Sequence, residues 1–307
     1  MKRVLITGGS GFIGRSLVRE LLARGDHVTV FTRNVNKTRR HMPGAVRIAA
    51  WTPNKIGPWV DELSVVDAVV HLAGEPVAQR WSDKVKRAIE ESRITSTRVI
   101  AEGIAQAKTK PGAFVCASAI GYYGPRPASE DLDESGSPGS DWLAGVVTRW
   151  EDAAREVEKH GVRSVQVRIG VVLGEGGGAL EKMVTPFNMY AGGPLGDGKQ
   201  VISWVHRDDV VGMILLAIDN ETVTGPINAV SPNPATGDEV AEGLGIVLGK
   251  PSWLRVPEGV IKIMMGEAAQ VVTTGQRVYP RRAVDLGYEF RYARLVPALE
   301  SILGPDK

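Results

Sequence analysis

Directly behind its first apolar run, Arg3–Thr7, the chain reads Gly8-Gly9-Ser10-Gly11-Phe12-Ile13-Gly14. It then enters a helical pattern in which Ile13, Leu17, Val18, Leu21 and Leu22 share one stripe. A strand, a glycine turn and a helix in that order form a narrow constraint. Gly8 permits the tight turn off the strand. Gly11 removes a Cβ so that a pyrophosphate can approach backbone N–H groups, and Gly14 lets the helix pack closely on the sheet. The helix N-terminus adds unsatisfied N–H donors and about half a positive charge. Gly8 to Gly14, with Gly9, Ser10, Phe12 and Ile13 inside the turn, is the candidate phosphate-binding segment for a dinucleotide.

The end of the second strand, His27–Thr32, selects the dinucleotide. A carboxylate there would accept from a ribose 2′-hydroxyl. This chain has Arg33, with Lys37 close behind. A guanidinium grips a 2′-phosphate through a planar fork, whereas a carboxylate would repel it. The expected cofactor is therefore NADP(H). Leu72-Ala73-Gly74, at the end of the fourth strand, offers a small-residue edge along which the cofactor can pass.

Strands and helical periodicities alternate through the first half: Arg3–Thr7, His27–Thr32, Val46–Trp51, Val65–Leu72, Ala113–Ser118 and Ser164–Val172 read as strands. Helical patterns include Ser82–Ala107 and Trp142–His160, the second capped by Ser140 or Asp141. The reading is an α/β, Rossmann-type, doubly wound parallel sheet with a smaller, mainly helical C-terminal substrate domain. Residues 1–174 form the NADP-binding domain, with 201–230 available to complete the sheet. Residues 175–200 and 231–307 form the substrate side. Asp208 is the expected cap of a helix over Asp209–Ile218, and Gly192–Gly198 suits a movable cover.

Composition removes other classes. With 37 basic against 35 acidic residues there is no field for a polyanion, so nucleic acid is not an expected partner. No apolar run approaches the ~20 residues of a membrane span. One cysteine, Cys116, excludes an internal disulfide and a thiolate zinc site, and no metal is expected. The expected setting is cytoplasmic, with a small-molecule substrate; a homodimer is left open.

Together with the glycine turn, several segments carry a resemblance. They are His71-Leu72-Ala73-Gly74, Ser118-Ala119-Ile120-Gly121-Tyr122-Tyr123-Gly124, Ser203-Trp204-Val205-His206 with Asp208-Asp209, and Gly275-Gln276-Arg277-Val278-Tyr279-Pro280. The chain resembles the extended short-chain dehydrogenase/reductases, the NAD-dependent epimerase/dehydratase group. More narrowly, it resembles atypical members that end in a small domain of unknown function. Some such relatives carry old cell-division-inhibitor labels, and a plant branch is linked to plastid division.

The resemblance implies a Ser or Thr after strand five and a Tyr-x-x-x-Lys pair on the next helix. The lysine and the oxidised nicotinamide lower the tyrosine pKa from about 10 toward about 7, roughly 4 kcal/mol of differential stabilisation. Aligned on Glu151, the tyrosine position falls on Leu143 and the lysine on Val147. The paired serines of several relatives read Ser118-Ala119 here. What remains near the nicotinamide is Ser118, Tyr122 and Tyr123, the candidate catalytic residues, with either tyrosine able to replace the absent one. Glu75, His206, Arg168 and Arg277 read first as ordinary loop, structural or ion-paired residues. Glu130–Glu134 reads as a solvated rim, and Cys116 as core.

Two functions follow. One is an NADP-dependent oxidoreductase or nucleotide-sugar-type epimerase acting on a small carbonyl or hydroxyl substrate. The other is an NADP(H)-binding regulatory protein without chemistry.

Overall fold

The computed structural model describes residues 1–304; the last three of the 231–307 segment lie outside the described residues. Seven parallel strands form the central sheet: β1 (Arg3–Thr7), β2 (His27–Thr32), β3 (Arg47–Ala50), β4 (Ala68–His71), β5 (Ala113–Ala119), β6 (Arg163–Ile169) and β7 (Gly225–Ala229). Their order is β7-β6-β5-β4-β1-β2-β3, so the strand order reverses between β1 and β4. That is the switch point at which a doubly wound sheet opens a ligand crevice.

Period two along the strands divides the core into two layers. Val4, Ile6 and Val115 face Leu17 and Leu21 of α1 (Phe12–Ala23) and Val210 and Ile214 of α6 (Arg207–Asp219). Leu5, Phe114 and Cys116 face the other way. There they meet Ile100 and Ile104 of α3 (Ser96–Gln106) and Val146 and Trp150 of α4 (Trp142–Arg155). Each fully buried aliphatic side chain contributes roughly 1.5–3 kcal/mol.

Some boundaries differ from expectation, for identifiable reasons. The helix expected over Ser82–Ala107 is α2 (Asp83–Glu90) and α3, joined by a single π-turn, Glu91–Thr95. The sixth strand breaks at Gly170, where a Cβ would stand 2.3 Å from the Ser203 carbonyl oxygen. Val171–Leu173 leaves the sheet to pair with Trp204–His206. Asp141 caps α4, accepting from the Leu143 and Ala144 N–H groups. The cap of α6 is His206 and not Asp208: its ring nitrogen accepts from the Asp208 N–H.

Past α5 (Gly178–Asn188), the C-terminal helices α7 (Gly237–Leu248), α8 (Glu258–Met265) and α9 (Leu295–Leu303) form the smaller lobe. Leu244 of α7 and Leu299 of α9 share its core. Between α8 and α9 the chain returns to the main body. Arg277-Val278 pairs with Asp131-Leu132, and Ala283 is buried in the sheet's own core. Asp209 accepts from the Arg291 and Tyr292 N–H groups at 2.8 and 3.0 Å. Among the described residues no helix is long and apolar enough to cross a membrane.

Candidate functional site

The turn after β1 is built for close approach. Gly8 has φ +68°, and a Cβ there would lie 2.7 Å from the Leu72 carbonyl carbon. A side chain at Gly8 would thus drive the β1 and β4 exits apart. Gly14 serves a different contact from the one expected. Its Cβ would meet the Gly8 oxygen at 2.3 Å and the Gly9 Cα at 2.7 Å, so it lets α1 close on its own loop and not on the sheet. A Cβ on Gly9 would strike Val30. A Cβ on Gly11 meets only the Gly8 oxygen, at 3.1 Å. No side chain caps α1, and its first turn holds no acidic residue, so its N-terminal donors stay available to an anion. These features fit a dinucleotide pyrophosphate.

Ser10 is exposed, and Phe12 is an anchor for the loop above it: Cβ atoms at Gly174, Gly177 and Gly178 would meet its ring at about 3 Å. Arg33 is exposed and makes no ion pair among the described residues. Lys37 is also exposed, on the short helix Val35–Arg39, where its N–H donates to the capping Asn34. Two cations thus stand free at the tip of β2, near the turn.

Beneath the crevice runs a buried relay that the sequence did not announce. The Ser96 hydroxyl donates to the Ser92 carbonyl, so toward His71 it can only accept, and His71 Nε2 carries the proton (3.0 Å). His71 Nδ1 then accepts from the Thr7 hydroxyl at 2.6 Å. The Thr7 oxygen in turn accepts from the Ala73 N–H at 3.3 Å. Burial holds the imidazole neutral, with its pKa pushed down to about 3. The exits of β1 and β4 and the start of α3 are thereby tied to one another.

The end of β5 departs most from the reading above. Ser118 is 3% exposed, and its hydroxyl donates to Glu151 Oε1 at 2.6 Å. Glu151, on α4, is clasped by Arg168 of β6 through Nε at 2.8 Å and Nη2 at 2.9 Å. Arg168 Nη1 also donates to the Tyr123 hydroxyl, which donates to Asn228 Oδ1. Glu134 continues the chain, accepting from the Asn228 N–H. Glu134 is therefore not part of a solvated rim; it is buried. The Tyr123 side chain is wholly buried, and burial pushes its phenol up to about 12. Ser118 and Tyr123 are thus turned into the protein, against their placement at the crevice. Arg168 and Glu151 are the core of this network.

Tyr122 is partly buried, its ring lying under the Arg168 guanidinium at 3.5 Å. The positions expected for the dyad are hydrocarbon in contact with the β5 exit: a Cβ at Gly121 would stand 3.3 Å from Leu143 and 3.9 Å from Val147. Ala119 is the partly exposed residue at the end of β5. Period two was the signal for Ser118. It shares a strand face with Phe114 and Cys116, both core residues. Cys116 is buried as expected, and burial raises its thiol. A groove of about 410 Å³ lies between Arg126 and Ala128 on one side and Gln200 and Thr274 on the other.

Comparison with known proteins adds to this geometry. Residues 4–229 match the profile of the NAD-dependent epimerase/dehydratase family, and residues 256–302 match a domain of unknown function, DUF1731. The chain is 42% identical over 302 residues to an Arabidopsis thaliana chloroplastic epimerase family protein, a homologue of SDR39U1, covering 98% of this chain and 86% of that one. It is 34% identical to epimerase family protein YfhF of Bacillus subtilis, covering 99% of each. The crystal structure of human epimerase family protein SDR39U1 with NADPH superposes with a TM-score of 0.86 at 34% identity, over 98% of this chain and 99% of that one.

Proposed function

This chain belongs to the NAD-dependent epimerase/dehydratase family, and we propose that it is an NADP(H)-dependent oxidoreductase or nucleotide-sugar-type epimerase acting on a small carbonyl or hydroxyl substrate. The observation that carries the cofactor choice is Arg33, at the tip of β2 and free of any ion pair among the described residues. The NADPH of the human relative's structure supports the same choice. Gly8–Gly14 would hold the pyrophosphate, Arg33 and Lys37 the 2′-phosphate, and Leu72–Gly74 the edge along which the cofactor lies. When bound, the nicotinamide supplies or accepts a hydride.

This chain's own residues then do three things. Ala119, Leu143 and Val147 line the β5 exit with hydrocarbon and keep water away. Arg168 fixes the Tyr122 ring. Tyr122 is the phenol left to hold or move a proton, because the Ser118 proton is committed to Glu151 and Tyr123 is buried.

The hydrocarbon at both dyad positions, with the Ser118 hydroxyl turned to Glu151, favours a second reading, a cofactor-responsive binding protein without turnover. The test pairs wild type with Tyr122→Phe, using NADPH carrying deuterium at C4 and a broad carbonyl panel. Deuterium in a product, lost in the variant at unchanged NADPH affinity, supports the enzyme and the role of Tyr122. Turnover surviving in the variant removes that role. Tight NADPH binding with no label transferred favours the second reading.

A further inference from the structure

The chain has lost the lysine expected at Val147, yet a cation reaches the same neighbourhood from another element. Arg93 lies in the π-turn Glu91–Thr95 between α2 and α3. A π-turn adds a residue to the helix and re-aims the side chains it carries, and such turns are frequent at functional sites. The Arg93 guanidinium is laid over the indole of Trp150, 5.2 Å from the ring centroid. Trp150 stands three residues past Val147 on α4, on the same side of the helix. The guanidinium also lies against Gly74: a Cβ there would sit 3.4 Å from both Cζ and Nη2. Gly74 is itself exposed, at the crevice end of β4.

A donor count makes Arg93 unusual. Nη1 donates to the Glu75 carbonyl at 2.9 Å and, weakly, to the Ile89 carbonyl at 3.4 Å. Among the described residues the Nε and Nη2 hydrogens have no acceptor, and neither nitrogen is sealed from solvent. Among the described residues no carboxylate lies within ion-pair distance of it, although Glu75 is near enough to act on the charge through space. Burial pushes the guanidinium down to about 10. A desolvated guanidinium costs free energy unless an anion joins it, and its open fork matches a planar oxyanion.

We infer that Arg93 is the substrate-recognition residue of the crevice and that the chain acts on an anionic substrate, whose carboxylate or phosphate docks on the open Nε–Nη2 edge beside Gly74. This rests on the NADP(H) reading for the neighbouring cofactor, whose own phosphates are assigned to the glycine turn and to Arg33.

The test titrates full-length protein saturated with NADP⁺, at constant ionic strength, with benzoate, inorganic phosphate and neutral benzamide. Tryptophan fluorescence is followed, since Trp150 lies under the guanidinium. At least one anion is expected to saturate, with benzamide ten times weaker or worse. Arg93→Gln should erase that preference, and Arg93→Lys, which keeps the charge but loses the fork, should weaken benzoate at least threefold. NADPH affinity, read separately, should stay within threefold across the series. Binding of neither anion, equal anion binding by Arg93→Gln, or a tenfold loss of NADPH affinity in that variant would each overturn the assignment. If Arg93→Gln fails to fold, the lysine variant decides: benzoate affinity unchanged from wild type overturns it. Wild type failing to bind NADPH would instead sink the cofactor reading.

Discussion

The two ends of the crevice treat their polar groups in opposite ways. At the β1–β2 end, donors are left open: α1 has no side-chain cap, and Arg33 and Lys37 have no acidic partner among the described residues. At the β5 end, Ser118, Glu151, Arg168, Tyr123 and Asn228 spend their hydrogen bonds on one another. An uncommitted donor in a folded protein is a place for a ligand. A committed one is architecture, whatever its residue type suggests. The difference marks the first region as the one with donors to offer a ligand and leaves Tyr122 and Arg93 as the groups with capacity to spare in the second.

The comparison can be broken most forcefully at the ion pair. Glu151→Ala strands a buried guanidinium and should cost about 3–5 kcal/mol of stability by denaturant unfolding, whereas replacing Glu151 and Arg168 together by Leu and Met should recover much of it. A marginal effect would mean that the β5 end is open like the other. Arg33→Ala should raise the NADPH dissociation constant tenfold to a hundredfold, about 1.5–3 kcal/mol, and leave NADH unchanged. Equal losses for both nucleotides would move the 2′-phosphate elsewhere. Tyr123→Phe should cost about 1–3 kcal/mol of stability through the unsatisfied Arg168 and Asn228, with no change in NADPH affinity.

The remaining effect is a slope, small at neutral pH and accumulating only in acid. His71 is held neutral in the folded state down to about pH 3, while the unfolded chain protonates it near 6.5. The folded pKa is depressed by burial, so the unfolded state binds the extra proton as the pH falls below 6.5. This group should therefore remove about 1.4 kcal/mol of stability per pH unit between there and about 3. An acid-limb slope unchanged by His71→Asn would show that the imidazole is not the group titrating.

What could be read from the sequence follows the same division. The glycine turn, the Asp141 cap and the layered strands are local matters of spacing and propensity, and apart from the break at Gly170 they stand where the sequence put them. The direction of Ser118 was also available, because period two ties it to Phe114 and Cys116, but a hydroxyl at a strand end invites a functional reading. The rest depended on partners far away in the chain. Glu151 reaches across 33 residues to Ser118, Asn228 across 105 to Tyr123, and Thr7 across 64 to His71. The π-turn that aims Arg93 leaves no propensity signal of its own, since its residues suit an α-helix equally well.

The return of the chain after α8 bears on how this protein can be divided. Ala283 plugs the core beneath α1 and α6, Asp209 grips Arg291 and Tyr292, and Asn228 holds the Tyr279 carbonyl. The DUF1731 segment is therefore less an appended module than the last stitch of the first lobe. A fragment ending at residue 255 would keep every residue proposed to hold the cofactor yet expose the seam. A gene fusion or shuffling event that swapped only the tail would have to bring the new backbone within reach of Asp209 and Asn228 and a small residue to fill the place of Ala283.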